Sequence, residues 1–155
     1  AMNDIHSYSY ARFAGKTIKV KKIEEQAIVP TRSNSDDAGW DLYSITTRPI
    51  APSQRVTIRT GISLEIPEEH VGLIWPRSGM SVKNGIDVLA GVVDSGYRGE
   101  IKVCLLNTSR EWMDIKEGDR IAQILFQEVP HFKLQEVEIL QNSDRGQGGF
   151  GSTGK

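Results

Sequence analysis

The stretch RVTIRTGISLEI, residues 55–66, decides the fold. Its apolar side chains stand at alternate positions, Val56 and Ile58, then Ile62, Leu64 and Ile66. Successive side chains of a strand point to opposite faces, so this spacing makes one apolar and one polar face. The same period recurs at Ile101, Val103 and Leu105. It also starts TIKVKKIEEQ (17–26), where a phase slip before Ile23 predicts a bulge. Prolines at 30, 49, 52, 67, 76 and 130 and many glycines interrupt the runs. Only SGMSVKNG (78–85) reads as a short helix. Many short strands between turn signals predict an all-β sandwich, barrel or jelly roll.

A chain of 155 residues suits one domain with a real core. The net charge of −1 argues against a dedicated nucleic-acid surface, which would be basic. No apolar run approaches the roughly 18 residues of a membrane span, and no signal-peptide core opens the chain. Cys104 is the single cysteine, so no internal disulfide can form and a reducing compartment, the cytoplasm, is expected. It reads as a small buried side chain of EIKVCLLN rather than a catalytic thiol. His6, His70 and His131 lack zinc-ligand spacing. Residues 1–16 are expected to form a loose leader, with Ala1-Met2 an appended remnant. Residues 17–141 then form the domain, and 142–155 a glycine-rich tail.

Four segments between the strands, and the tail, stand out. DAGWDLYS (37–44) reads as a turn entering a strand, with Gly39 at a special backbone angle; Asp41 could instead approach a metal. PRSGMS (76–81) has no nucleophile elbow and no nearby histidine, so anion binding suits it better. Arg77 offers a guanidinium fork, Ser78 a hydroxyl and Gly79 a bare amide. AGVVDSGYRGE (90–100) reads as a hairpin turning near Ser95-Gly96, which leaves Tyr97 and Arg98 unexplained. GDRIAQILF (118–126) reads as a turn and a mostly buried strand in which Gln123 needs a partner. Taken singly, each is more readily structural than functional.

The tail, RGQGGFGSTGK (145–155), contains two overlapping phosphate fingerprints, G-x-G-x-x-G and G-x-x-x-x-G-K. Each needs a strand before it and a helix after it, and no Ser or Thr follows Lys155 in this sequence. Two readings stay open: a frayed end, or a tail folding over a nucleotide bound elsewhere through Arg145, Phe150, Ser152 and Thr153.

Together and in this order, the five segments resemble the motifs of the trimeric dUTPase family across residues 37–154. The resemblance implies a jelly-roll-like β barrel, assembled as a homotrimer with active sites at subunit interfaces. It implies Mg2+-dependent hydrolysis of dUTP to dUMP and pyrophosphate, limiting uracil in DNA and supplying the thymidylate precursor. Asp94 would be the general base for the attacking water. Arg77, Ser78, Gly79 and Gln123 would hold the triphosphate, joined by Arg145, Ser152 and Thr153 from a closing lid. Backbone groups at Gly91, Val92, Val93 and Lys102 would read uracil, Tyr97 would pack against the sugar, and Phe150 with Gly151 would cover the base. Mg2+ would be held mainly by phosphates, with Asp41 reaching it through water. No stable nucleic-acid or membrane binding is implied.

Three features depart from the family pattern. The hairpin is short and lacks an asparagine facing the base, Trp40 stands where relatives carry smaller residues or Tyr, and Gly96 stands where an acidic residue is common. The rivals are a dCTP deaminase and a regulatory binding protein on the same fold, whose protein partner nucleotide would switch.

Overall fold

The computed structural model describes residues 16–154; residues 1–15, which make up nearly all of the expected leader, and Lys155 lie outside them. The chain is mostly β, and all its strand pairs are antiparallel. The strands are β1 (Lys19–Lys22), β2 (Trp40–Tyr43), β3 (Arg48–Ile50), β4 (Arg55–Glu65), β5 (His70–Trp75), β6 (Ile86–Leu89), β7 (Val92–Val93), β8 (Glu100–Asn107), β9 (Met113–Ile115) and β10 (Arg120–Glu128). One sheet runs β1-β4-β8-β6, a second β2-β10-β5-β7, and β3 pairs with β9 in a ribbon. The expected helix is α1 (Ser78–Asn84), and Gly85 ends it in the left-handed region at φ 67°. No helix among the described residues is long and apolar enough to cross a membrane.

The alternation read from β4 and β8 is the core-facing pattern. Val56, Ile58, Ile62 and Leu64 of β4 and Ile101, Val103 and Leu105 of β8 are buried. They meet Leu42 of β2, Ile74 of β5 and Ile121, Ala122 and Ile124 of β10 in one cluster. Cys104, half-buried on β8, is a free thiol.

The bulge expected before Ile23 lies in the partner strand instead. Lys19–Lys22 runs in unbroken register against β4, and the Ile23 N–H continues it to the Gly61 carbonyl at 2.8 Å. The irregularity is in β4, between the pairs Arg59↔Lys102 and Ser63↔Glu100, four steps against two. Two extra residues amount to one full pleat, so the buried face of β4 keeps its phase. Gly61 makes the detour at φ 69°. Arg59 clamps it, with Nε 3.1 Å from both Glu100 carboxylate oxygens and Nη2 2.7 Å from Glu24, while Glu100 also accepts the Gly61 N–H at 3.0 Å. These hydrogen bonds, to Glu24 first and Glu100 second, raise the Arg59 guanidinium above its ordinary value.

A Cβ at Gly61 would lie 2.9 Å from Ala27 Cβ, on a backbone that side chains rarely adopt. Gly61→Ala is therefore expected to destabilise the fold by about 1–3 kcal/mol. Urea unfolding at fixed protein concentration reads this; an unchanged midpoint would mean that the bulge carries no strain.

Candidate active site

β10 lies between β2 and β5, and its register puts Gln123 opposite Asp41 on one side and Trp75 on the other. Pro76 and Arg77 follow directly, so PRSG leaves the sheet beside Gln123. A register shift between Arg120 and Ala122 makes Ile121 the extra residue of a bulge, and Ile121 and Ala122 are both buried. The bulge turns Arg120 to the face that carries Gln123; unbroken alternation would have placed it with Ala122 and Ile124.

These elements and the loop before β2 enclose a cleft of about 340 Å³, lined by Arg32, Ser33, Asp37, Asp41, Arg77, Ser78, Gly79, Arg120 and Gln123, among others. Asp41 organises the cations. Its Oδ1 accepts from Arg77 Nε at 3.1 Å, and its Oδ2 lies 3.9 Å from Arg120 Nη1. The side chains of Asp41 and Arg77 are only 19% and 30% exposed, so removing either strands a partly desolvated charge. Gln123 finds its partner in the Pro76 carbonyl, to which Nε2 donates at 3.0 Å. Gly39 is not among the positive-φ glycines, contrary to expectation. Its reason is space, since a Cβ there would come 2.3 Å from Gln123 Oε1. The α1 amides open beside Arg77, and the first of them have no intrahelical partner.

Five expected residues, Asp41, Arg77, Ser78, Gly79 and Gln123, thus share one cleft. Arg32 and Arg120 were missed. Arg120 stood in a noted segment, but two consecutive apolar residues hid the bulge that turns it outward. Arg32 lies outside every segment, and its guanidinium carbon sits 4.1 Å from the Trp40 ring centroid.

The expected hairpin is present in its base and its turn at Ser95-Gly96, but residues 90–93 leave it. β6 pairs with β8 from Ile86↔Asn107 to Leu89↔Cys104 and stops there. Ala90 and Gly91, at φ 62° and 108°, then carry the chain to the other sheet, where Val92 and Val93 pair with Leu73 and Gly72 of β5. Lys102 pairs with Arg59 of β4, not with this segment. The Gly91 carbonyl accepts the Ile74 N–H at 2.8 Å, while the Gly91 N–H has no backbone partner among the described residues. The separation leaves the β8 edge at residues 100–103 without a strand partner on the β6 side among the described residues. A planar group with edge donors and acceptors suits such a slot. Asp94 is exposed, and its carbonyl accepts the Tyr97 N–H at 3.1 Å in the turn. The Tyr97 hydroxyl donates to the Glu100 carbonyl at 2.8 Å, with the ring against Gly99.

The tail does not reach this cleft. Arg145 Nε donates to the Gly148 carbonyl at 2.6 Å and the Gly149 N–H to Ser152 Oγ at 2.8 Å, while Phe150 and Thr153 are exposed. Before it, Phe132, Leu134, Ile139 and Leu140 are at least 82% exposed, an apolar strap left uncovered by the described residues.

Among the described residues no three His, Cys, Asp or Glu side chains converge as a metal site. The cleft offers Asp37 and Asp41, the latter already engaged by arginines. That donor set fits a hydrated Mg2+ carried by phosphates rather than one caged by protein.

The dUTPase family matches residues 25–154. The chain is 45% identical over 137 residues to deoxyuridine 5′-triphosphate nucleotidohydrolase of swinepox virus, covering 88% of this chain and 96% of that protein. It is 41% identical over 141 residues to that of Mus musculus, covering 91% and 87%. The fold is similar to Staphylococcus bacteriophage 80alpha dUTPase with dUPNHPP, with a TM-score of 0.84 at 30% identity over 90% of this chain and 99% of that one. It is also similar to a mutant dUTPase of phage phi11 of S. aureus, whose structure reveals a coordinated structural Mg(II) ion, with a TM-score of 0.77 at 27% identity over 81% and 99%.

A methyl group at position 39 would displace the Gln123 amide and release the Pro76 carbonyl. Gly39→Ala is expected to cost only about 0.5–1.5 kcal/mol, the worth of one hydrogen bond, yet to weaken nucleoside triphosphate binding. Calorimetric titration beside thermal unfolding separates the two effects; unchanged binding would mean that the Gln123 tether does not shape the cleft.

Proposed function

Because the chain belongs to the dUTPase family, we infer that it is a deoxyuridine 5′-triphosphate nucleotidohydrolase, releasing dUMP and pyrophosphate. The dCTP deaminase alternative falls away with that membership. The finer proposal is a jelly-roll-like barrel over residues 17–141, assembled as a homotrimer in the cytoplasm, with residues 142–155 as a lid. Three copies would complete each site from the three groups that stand apart on one chain: the arginine cleft, the Asp94 hairpin and the tail. The observation that carries this reading is that separation, together with the uncovered apolar strap, which calls for a partner surface.

In the proposed mechanism, Arg77, Ser78, Gly79 and Gln123 bind and orient the triphosphate, and Asp41 holds Arg77 and Arg120 toward it. Positioning and charge compensation supply most of the rate for phosphoryl chemistry. Asp94 accepts a proton from water as its oxygen bonds to the α-phosphorus; the bond to the bridging oxygen breaks and pyrophosphate leaves. Mg2+, held by phosphate oxygens and reached by Asp41 through water, would supply further charge compensation when bound. The N–H of Gly91, the backbone at Val92 and Val93, and the open β8 edge at Lys102 would read the uracil edge. Cytosine would leave buried groups unpaired at about 1–3 kcal/mol each. Tyr97 would pack where a 2′-hydroxyl would stand. Phe150 and Gly151 would cover the base while Arg145, Ser152 and Thr153 close on the phosphates.

Asp94→Asn is expected to keep the fold and dUTP binding but to lower kcat by about 10²–10⁴-fold. A chain ending at Ser143 should fold and assemble, yet lose most activity. Unfolded and refolded together, these two inactive parents should regain activity, because in a mixed trimer about one site in three pairs an intact base with an intact tail from another copy. A silent mixture with subunit exchange verified by mass would place both groups of a site on one chain.

A further inference from the structure

We propose that Arg32, held on the face of Trp40, is a further phosphate-binding residue of this site, and that Trp40 is the positioning residue that sets it there. The proposal rests on the reading of the cleft as the triphosphate site.

Three guanidiniums line the cleft, and they are not equivalent. Arg77 and Arg120 both turn toward Asp41. Arg32 has no carboxylate within 4.0 Å among the described residues. Its single hydrogen bond among the described residues is long, 3.4 Å from Nη1 to the Asp37 carbonyl. A cation that faces an anion-shaped cleft without a counter-ion has charge to offer. A triphosphate brings more negative charge than Arg77 and Arg120 can balance while Asp41 neutralises part of theirs.

The placement is built. A guanidinium stacked on an aromatic ring uses its flat face and keeps its N–H edge free for phosphate oxygens. The indole beneath is itself fixed, since Trp40 lies opposite Ile124 in the β2–β10 ladder and packs against the core. The loop that carries Arg32 is closed at its base by the Asp41 N–H donating to the Thr31 carbonyl at 2.7 Å. It is tightened within by the Asn34 N–H donating to Asp37 Oδ2 at 3.0 Å. Arg32 is thus one residue from a pinned end. The unusual Trp40 gains a reason, because the indole offers the strongest cation–π face of the aromatic side chains.

The test is the binding of a non-hydrolysable dUTP analogue with Mg2+, and separately of deoxyuridine, to the full chain. Arg32→Ala should weaken the triphosphate analogue by roughly tenfold or more, the usual worth of a charge-assisted hydrogen bond, and leave deoxyuridine within about twofold. Trp40→Ala should give a similar loss, and the double variant should be no worse than either single one. Arg32→Lys, which leaves the ring and its packing intact, should recover part of the binding, since charge returns without the flat stack. Parallel loss of deoxyuridine binding in Arg32→Ala would make the residue merely structural and overturn the proposal. Arg77→Ala run alongside separates the two levels. If it loses the analogue while Arg32→Ala does not, this inference alone is wrong; if neither does, the reading of the cleft falls as well.

Discussion

The site depends on one row of backbone pairing, in which Asp41 of β2, Gln123 of β10 and Trp75 of β5 lie side by side. Strand side chains alternate, so the register that buries Leu42, Ile74 and Ile124 also turns Asp41 and Gln123 outward. A one-residue slip of β10 would expose Ile124 and bury the amide. The apolar core therefore fixes the polar site, and no separate device is needed to bring three distant segments together. Gln123 locks the row by holding the Pro76 carbonyl, and the missing side chain of Gly39 leaves room for it.

Irregular backbone does what the regular register cannot. The bulge at Ile121 turns Arg120 toward Asp41 without disturbing the buried phase beyond it. The step at Ala90-Gly91 transfers the chain between sheets and opens the β8 edge; a Cβ at Gly91 would come 2.7 Å from the Ile74 carbonyl. Both departures border the groups assigned to ligand. The Gly61 detour in β4 is held by Arg59 and Glu100 and adds no residue to the lining of the arginine cleft.

Much of this was legible in the sequence. The period of two in β4 and β8 identified their buried faces, because both strands place their apolar side chains on one face of a sheet. The helix announced itself through Gly85, and a lone glutamine in an apolar strand required a hydrogen-bond partner. What escaped is physically intelligible. Two valines cannot say which sheet they join, so the pairing of β7 with β5 was hidden inside an apparent hairpin. Ile121 and Ala122 are both apolar, which conceals a bulge. The Arg32–Trp40 stack joins residues eight apart through a loop, a distance that no strand or helix period reports. Tail glycines signalled freedom of backbone, with positive φ at Gly146, Gly151 and Gly154, but not what the tail packs against.

The most direct measurement is pyrophosphate release from dUTP, dTTP, dCTP and UTP under identical conditions with Mg2+. The proposed roles of the cleft toward the triphosphate, of the β8 edge toward uracil and of Tyr97 toward the sugar require turnover of dUTP far above the other three. Comparable rates on dTTP or UTP would contradict the assigned recognition of base and sugar, and ammonia release from dCTP would contradict the reaction itself.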